Sequence, residues 1–164
     1  MPADVDETPH AGEAPDALVE RLARAKAAAV SQARAGLTVL AADTVVVVDG
    51  RILGKPSDES NARAMLRDLS GRAHHVVTGV CVTNGLATRA AIERTEVRFT
   101  PIDAAEIAAY VATGEPMDKA GAYHIDGRAA TFVSGITGSP SNVAGLPMAL
   151  AIRLLRELGF SLAR

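Results

Sequence analysis

Asp43 stands inside an otherwise apolar run, Val39-Leu40-Ala41-Ala42-Asp43-Thr44-Val45-Val46. Burying a carboxylate among β-branched and small apolar side chains costs several kcal/mol unless a cation, hydrogen bonds or protonation compensates it. A metal ion or a raised pKa would supply the compensation, and so would a turn or bulge in which the Asp accepts backbone N–H groups. Lys55 lies between Gly54 and Pro56. This is not a P-loop, because the first glycine, Gly50, falls one residue short and Pro56 stands where Ser or Thr would bind Mg2+. A loop ammonium fixed between Gly and Pro still suits a phosphate, and a solvated lysine is the alternative. Asp6-Glu7 reads either as a metal-binding pair or as an acidic approach suited to the positive end of the following helix, and the local residues favour the second. Asp118-Lys119-Ala120-Gly121-Ala122-Tyr123 joins an ion pair, small residues that let backbones approach, and one ring. That combination suits a nucleotide cleft and equally a tightly packed core.

Other chemistries lack their residues. His74 and His75 are neighbours on a predicted strand and point to opposite faces, so they cannot share a metal. His10 and His124 have no partner at ligand spacing, and Ser134-Gly135 and Ser139-Pro140 lack the flanking glycines of a nucleophile elbow. Cys81, the single cysteine, lies between Val80 and Val82 and reads as a buried strand thiol, which excludes an internal disulfide and a Cys-based metal site. The 164 residues carry 17 basic against 19 acidic side chains, a net charge of -2, which gives no general attraction for a polyanion. No apolar run reaches membrane-spanning length, and Met1 to Asp16 is acidic where a signal peptide is basic and then apolar, so the expected location is the cytoplasm. Among the 17 basic residues only Lys26, Lys55 and Lys119 are lysines, as if a compact point charge were required there. Alanine is abundant, and the aromatics are Phe99, Tyr110, Tyr123, Phe132 and Phe160. The core is therefore expected to be aliphatic, with few rings left to stack on a base.

These residues must be positioned by strands and helices in one domain over 1–164. Leu18, Leu22, Ala25, Ala29 and Val30 recur at helical spacing within Ala14 to Ala35. Leu37 to Val48 reads as a long strand interrupted at Asp43, and Asp49-Gly50 as a tight turn into Arg51-Ile52-Leu53. Ser57 is the expected N-cap of a helix through Ala62, Met65, Leu66 and Leu69 that Gly71 ends. His74 to Thr83, Asn84-Gly85 and Ala87 to Phe99 form a predicted antiparallel hairpin. Thr100-Pro101-Ile102-Asp103 is read as N-cap, first-turn Pro and acidic N3 of a helix to about Thr113. Asp118 to Val133 shows no clear periodicity, and the last helix is expected over Leu146 to Leu158. The mixture predicts an α/β (α+β) domain around a mixed sheet flanked by helices.

In chain order, Asp6-Glu7, Leu22-Ala23-x-Ala25-Lys26-Ala27, Ala42-Asp43-Thr44-Val45-Val46, Gly54-Lys55-Pro56, Leu69-Ser70-Gly71, Thr78-Gly79-Val80, Thr95-x-Val97-x-Phe99, Asp118 to Tyr123 and Asn142-Val143-x-Gly145-Leu146-Pro147 resemble the Maf family of nucleoside triphosphate pyrophosphatases. The resemblance runs from Val5 nearly to the end. It implies a mixed-sheet fold shared with inosine triphosphatase-like enzymes, with a cleft between two lobes in which a nucleoside triphosphate is cut to monophosphate and pyrophosphate. It implies a divalent metal, Mg2+ first and Mn2+ second. Asp43 would be the proton acceptor or metal-linked base at the α-phosphorus, Glu7 would help hold the metal, and Lys26 and Lys55 would neutralise phosphates. Lys119, the third lysine, also falls in a family motif and is counted with the substrate-binding residues. The implied partner is the nucleotide, with a homodimer as the assembly and no nucleic-acid polymer or membrane.

Thr44 matches a specificity position of the dTTP/UTP branch, and the Asp118 to Tyr123 wording resembles that branch more than the 7-methyl-GTP one. Where that branch has Gln, this chain has Asp126 in His124-Ile125-Asp126-Gly127. An ionised Asp accepts hydrogen bonds but does not donate them, so it would favour an N–H on the base over a carbonyl. The family's leading strand and S-x-S-P-R-R phosphate loop have no counterpart here. The expectation is that the reading frame continues upstream of Met1-Pro2-Ala3-Asp4-Val5-Asp6-Glu7. The competing function is a non-catalytic nucleotide-binding or cell-division-arrest (septum-related) regulator.

Overall fold

Alternating apolar residues and tight-turn dipeptides build the sheet. In a computed structural model, which describes residues 5–161, the elements follow one another as α1 (Pro15–Ala33), β1 (Val39–Val48), β2 (Arg51–Leu53), α2 (Glu59–Leu69), β3 (Ala73–Thr83), β4 (Thr88–Phe99), α3 (Ala104–Val111), β5 (Val133–Thr137), α4 (Pro140–Val143) and α5 (Met148–Glu157). Short helical turns over Glu115–Asp118, Ala120–Ala122 and Arg128–Phe132 fill the stretch without periodicity. The five strands hydrogen-bond in the order β2-β1-β3-β4-β5, an open sheet flanked by helices. β1 runs antiparallel to β2 from Val46↔Leu53 to Val48↔Arg51. Asp49 and Gly50 both take positive φ, the conformation that a two-residue hairpin following the twist of its strands requires. The front stretch from Met1 to Asp4 lies outside the described residues.

The chain divides into two compact units. The first comprises the described residues up to Thr44, Val77–Glu93 and the described residues from Gly145 onward. In it Val39 and Ala41 of β1 pack with Ala23 and Ala27 of α1 and with the fully buried Cys81. Leu40 and Ala42 pack instead with Leu150, Ala151 and Leu154 of α5. The period-two alternation of a strand thus sends odd positions of β1 to α1 and even positions to α5. No helix among the described residues is long and apolar enough to cross a membrane.

The second unit, Val45–Val76 and Arg94–Ala144, carries the larger core. Ala62, Met65, Leu66 and Leu69 of α2 and Ile107, Tyr110 and Val111 of α3 are buried in it. This core is not purely aliphatic as expected. Four of the five aromatic residues gather there, with Phe99 edge-on to Tyr123, to Phe132 and to His74, and Tyr110 edge-on to Phe132. Edge-to-face rings gain quadrupole attraction beyond their buried area, which concentrates scarce rings in one cluster. All four of these rings are buried.

Two cap assignments shift. α2 is capped by Asp58, whose carboxylate accepts the Asn61 N–H at 2.7 Å, and not by Ser57. α3 is capped by Asp103 in a reciprocal box with Glu106, and Thr100 instead donates its hydroxyl to the Phe132 carbonyl. A box satisfies two orphan N–H groups where a lone Thr satisfies one, so the N-terminus forms three residues later than the Thr-Pro reading placed it. The last helix begins at Met148 with no side-chain cap. The strand β5, absent from the sequence reading, pairs antiparallel with β4 from Glu96↔Thr137 to Phe99↔Val133.

Candidate functional site

In the first unit, strand alternation decides which side of β1 Asp43 occupies. Val39 and Ala41 face α1, so Asp43 does too, and there the Lys26 ammonium donates to its Oδ1 at 2.6 Å. The same nitrogen lies 2.6 Å from Glu7 Oε1. Only 11% of the Asp43 side chain and 20% of the Lys26 side chain are exposed, so this pair is shielded from most of the screening that weakens surface ion pairs. Burial alone would lower the Lys26 pKa, but the Asp43 and Glu7 carboxylates outweigh it and hold it above the ordinary lysine value. Lys26 is therefore a permanent cation at neutral pH.

Glu7 reaches this position because residues ahead of α1 are tied down. Arg21 makes a two-nitrogen clasp on the Glu13 carboxylate at 2.7 and 2.8 Å and donates to the Thr8 carbonyl at 3.1 Å. The hydrogen bond from Arg21, joined by the His10 N–H, holds Glu13 at about 2, well below the usual carboxylate range. Asp6 accepts the Thr8 N–H at 2.9 Å. The helix begins only at Pro15, so Asp6 and Glu7 lie too far ahead of it for the dipole to explain them, and that part of the sequence reading is corrected.

Thr44 faces the other side of β1. Its hydroxyl lies 2.9 Å from that of Thr78 and donates to the Gly145 carbonyl at 3.3 Å. The Ala42 to Val46, Thr78-Gly79-Val80 and Asn142 to Pro147 motifs are thereby linked through Thr44.

In the second unit, the Gly121 N–H donates to the Gly54 carbonyl at 3.0 Å and ties the Lys55 loop to the Asp118–Tyr123 motif. Gly121 has φ +69, and a Cβ there would sit 2.7 Å from Val46 Cγ2, so both backbone conformation and space demand glycine. Ala122 follows at φ 59 while fully buried, a strained backbone that the surrounding packing over-determines. Lys119 donates to Asp118 at 2.6 Å. That hydrogen bond first, and the Lys55 charge as a smaller influence, hold the Asp118 carboxyl below its usual range. Lys55 is exposed, as is Asp126, which occupies the third position of a turn closed by the Gly127 N–H on the His124 carbonyl at 3.1 Å.

Among the described residues no group of three or more His, Cys, Asp or Glu is placed to hold a metal. Two carboxylates do converge on one cation, with the Lys26 ammonium lying where Glu7 and Asp43 meet. A hard divalent ion bound by one or two carboxylates, with water and substrate phosphates completing its shell, suits such a donor set. Glu7 and Asp43 thus fit a metal of that class. Cys81 is fully buried in β3, and His74 is buried beside an exposed His75.

The first unit thus carries a strand carboxylate paired with a helix lysine, and the second carries a glycine-tied loop presenting another lysine. Residues 1–158 match the family described as Maf-like protein. The chain is 53% identical over 166 residues to the dTTP/UTP pyrophosphatase of Anaeromyxobacter sp. (strain Fw109-5), covering 98% of this chain and 79% of that protein. It is 50% identical over 157 residues to the dTTP/UTP pyrophosphatase of Symbiobacterium thermophilum, covering 96% and 81%. It is 49% identical over 160 residues to that of Myxococcus xanthus, covering 98% and 81%. The chain belongs to the Maf family.

Of the residues singled out from the sequence, Glu7, Lys26 and Asp43 meet in the first unit, where Thr44 lies on the other side of β1, while Lys55, Lys119 and Asp126 lie in the second unit. The sequence did not single out Arg21 and Glu13, whose ion pair ties down the chain ahead of α1, or the side chain of Thr78, which meets Thr44. The Arg21 signal was present as a basic residue eight positions after Glu13, but only the path of the chain before α1 brings the two together.

Proposed function

We propose that this Maf-family enzyme, a nucleoside triphosphate pyrophosphatase that yields the monophosphate and pyrophosphate, takes dTTP and UTP or their modified relatives as substrates. It would act in the cytoplasm. The observation that carries the site reading is the convergence of Glu7 and Asp43 on the Lys26 ammonium. The substrate class is supported by the names of relatives at about half identity across most of the chain.

In this mechanism a water oxygen bonds to the α-phosphorus, the bond from the α-phosphorus to the bridging oxygen breaks, and pyrophosphate leaves with that electron pair. Asp43, hydrogen-bonded to the Lys26 ammonium, orients the water and accepts its proton. Lys26 holds Asp43 in place and, being always protonated, serves as a cation and never as the base. Lys55 and Lys119 meet the charge of the phosphates, since phosphoryl transfer relies mostly on positioning and charge stabilisation. A divalent cation, which we take to be Mg2+, would be held by Glu7 and Asp43 and supplies neutralisation of phosphate oxygens.

The test is Mg2+-dependent release of pyrophosphate from a nucleotide panel, run in heavy-oxygen water. Attack at the α-phosphorus places the label in the monophosphate. Label found in pyrophosphate, or release of a diphosphate with orthophosphate, would overturn the assigned reaction.

A further inference from the structure

We infer that Glu115, acting with Tyr110, is a positioning residue for base selection, because it pins both ends of the turn that carries Asp126. This inference rests on the reading in which Asp126 faces the nucleotide base. Glu115 itself need not touch substrate.

The hydrogen bonds form a connected path. The His124 N–H donates to the Tyr110 hydroxyl at 3.1 Å, and that hydroxyl donates to Glu115 Oε1 at 2.9 Å. On the far side of the turn the Arg128 N–H donates to the same carboxylate at 2.9 and 3.2 Å, and the Ala129 N–H joins it. Residues 124 and 128 are thus fixed to one carboxylate, while Ile125 packs against the core and Asp126 is left exposed between them. Glu115 is itself anchored, since its N–H donates to the Thr113 hydroxyl, which donates to the Tyr110 carbonyl at 2.6 Å. Desolvation works to raise the Glu115 carboxyl, but the Arg128 N–H, the Tyr110 hydroxyl and the Ala129 N–H hold it below the ordinary range. It is an anion accepting several donors, which makes the clasp stiffer than neutral hydrogen bonds would.

Gly127 completes the device. Its φ is -109, open to any residue, so backbone conformation does not call for glycine here. A Cβ at that position would sit 2.3 Å from Glu115 Oε1 and 2.6 Å from its Cδ. A methyl group can be housed only if the carboxylate swings away, and swinging away breaks the clasp. Gly127→Ala is therefore a second route to the same disruption, one that leaves Glu115 in the chain.

The experiment measures kcat/KM for dTTP, UTP, CTP and dGTP in Glu115→Ala, Glu115→Gln, Gly127→Ala, Asp126→Ala and the Glu115→Ala/Asp126→Ala double variant, with thermal unfolding as a check on folding. Glu115→Ala and Gly127→Ala should each narrow the spread between best and worst nucleotide by about 10-fold, through KM, with kcat for the best nucleotide within about threefold of wild type. Glu115→Gln keeps one acceptor oxygen and should retain more of the spread. The double variant should narrow it no further than Asp126→Ala does. If Asp126→Ala narrows the spread while Glu115→Ala and Gly127→Ala leave it intact, the positioning role is overturned and the base-reading role of Asp126 stands. If none of the three changes it, both fall. Equal loss of kcat on every nucleotide with the spread preserved would make Glu115 a stabilising residue only and overturn the inference. Should Glu115→Ala fail to fold, Tyr110→Phe, which removes the bridging hydroxyl and keeps the ring, and Gly127→Ala decide the matter.

Discussion

The Lys26 ammonium lies 2.6 Å from the Asp43 carboxylate, so one turn of α1 and the middle of β1 are joined by a charge-assisted hydrogen bond. Lys26 stays protonated beside the two carboxylates of Glu7 and Asp43, which hold its pKa above the ordinary lysine value.

Asp43→Asn removes the charge and keeps the shape. We expect kcat to fall at least ~100-fold, since the proton acceptor and one proposed metal ligand go together. Steady-state pyrophosphate release alongside thermal unfolding checks this. Near-wild-type turnover in a folded variant would remove Asp43 from the mechanism.

Lys55→Ala should act on binding. The ammonium is exposed on a loop fixed by the Gly121–Gly54 hydrogen bond, so its loss leaves the backbone in place. A rise in KM for the triphosphate of about 10-fold, with a smaller effect on kcat than Asp43→Asn, is the expected outcome. Unchanged KM and kcat would mark Lys55 as a solvated loop residue.

Asp126→Gln should move preference toward dTTP and UTP, because Gln can donate to a pyrimidine carbonyl where Asp cannot. The ratio of kcat/KM for UTP to that for dGTP should rise. The same ranking in both forms would show that this exposed side chain does not read the base.

Stability should fall with acid because of His74. It is buried with Nε2 on the Tyr123 hydroxyl at 3.0 Å, its Nδ1 has no hydrogen-bond partner among the described residues, and desolvation first and His75 second pull its pKa from 6.5 to about 4. The unfolded chain protonates near 6.5 and the folded one only near 4, so the stabilisation is fully present above pH 6.5 and drains away as pH falls toward 4. The loss across that window is about 3 kcal/mol. Urea unfolding followed over this range should show the slope in the wild type and a flatter one in His74→Gln. Equal slopes would exclude His74 as the source.

Much of the fold was legible because its signals are local. Asp49-Gly50 and Asn84-Gly85 announce hairpins through residues that tolerate positive φ, and the spacing of Leu18, Leu22 and Val30 announces α1. The same locality explains the misplaced caps. Thr100 and Ser57 are good N-cap types, and nothing nearby says that Thr100 will be drawn to the Phe132 carbonyl or that Asp103 and Glu106 will close a box. β5 escaped because five residues, Val133–Thr137, carry too short an alternation to be read, and they become a strand by pairing with β4.

The candidate site divides in the same way. That Asp43 in an apolar run needs a partner follows from the residue and its neighbours through the cost of burying a charge. That the partner is Lys26, 17 positions earlier, depends on α1 lying against the odd-numbered face of β1. Glu7 joins them only because Arg21 holds the Thr8 carbonyl and Glu13, and His124 and Arg128 meet Glu115 only because the turn folds back on the end of α3. Propensity and periodicity act over a few residues and are written in the sequence, whereas these ion pairs and clasps form between groups whose separation is set by chain reversal and packing, and tertiary structure alone decides that separation.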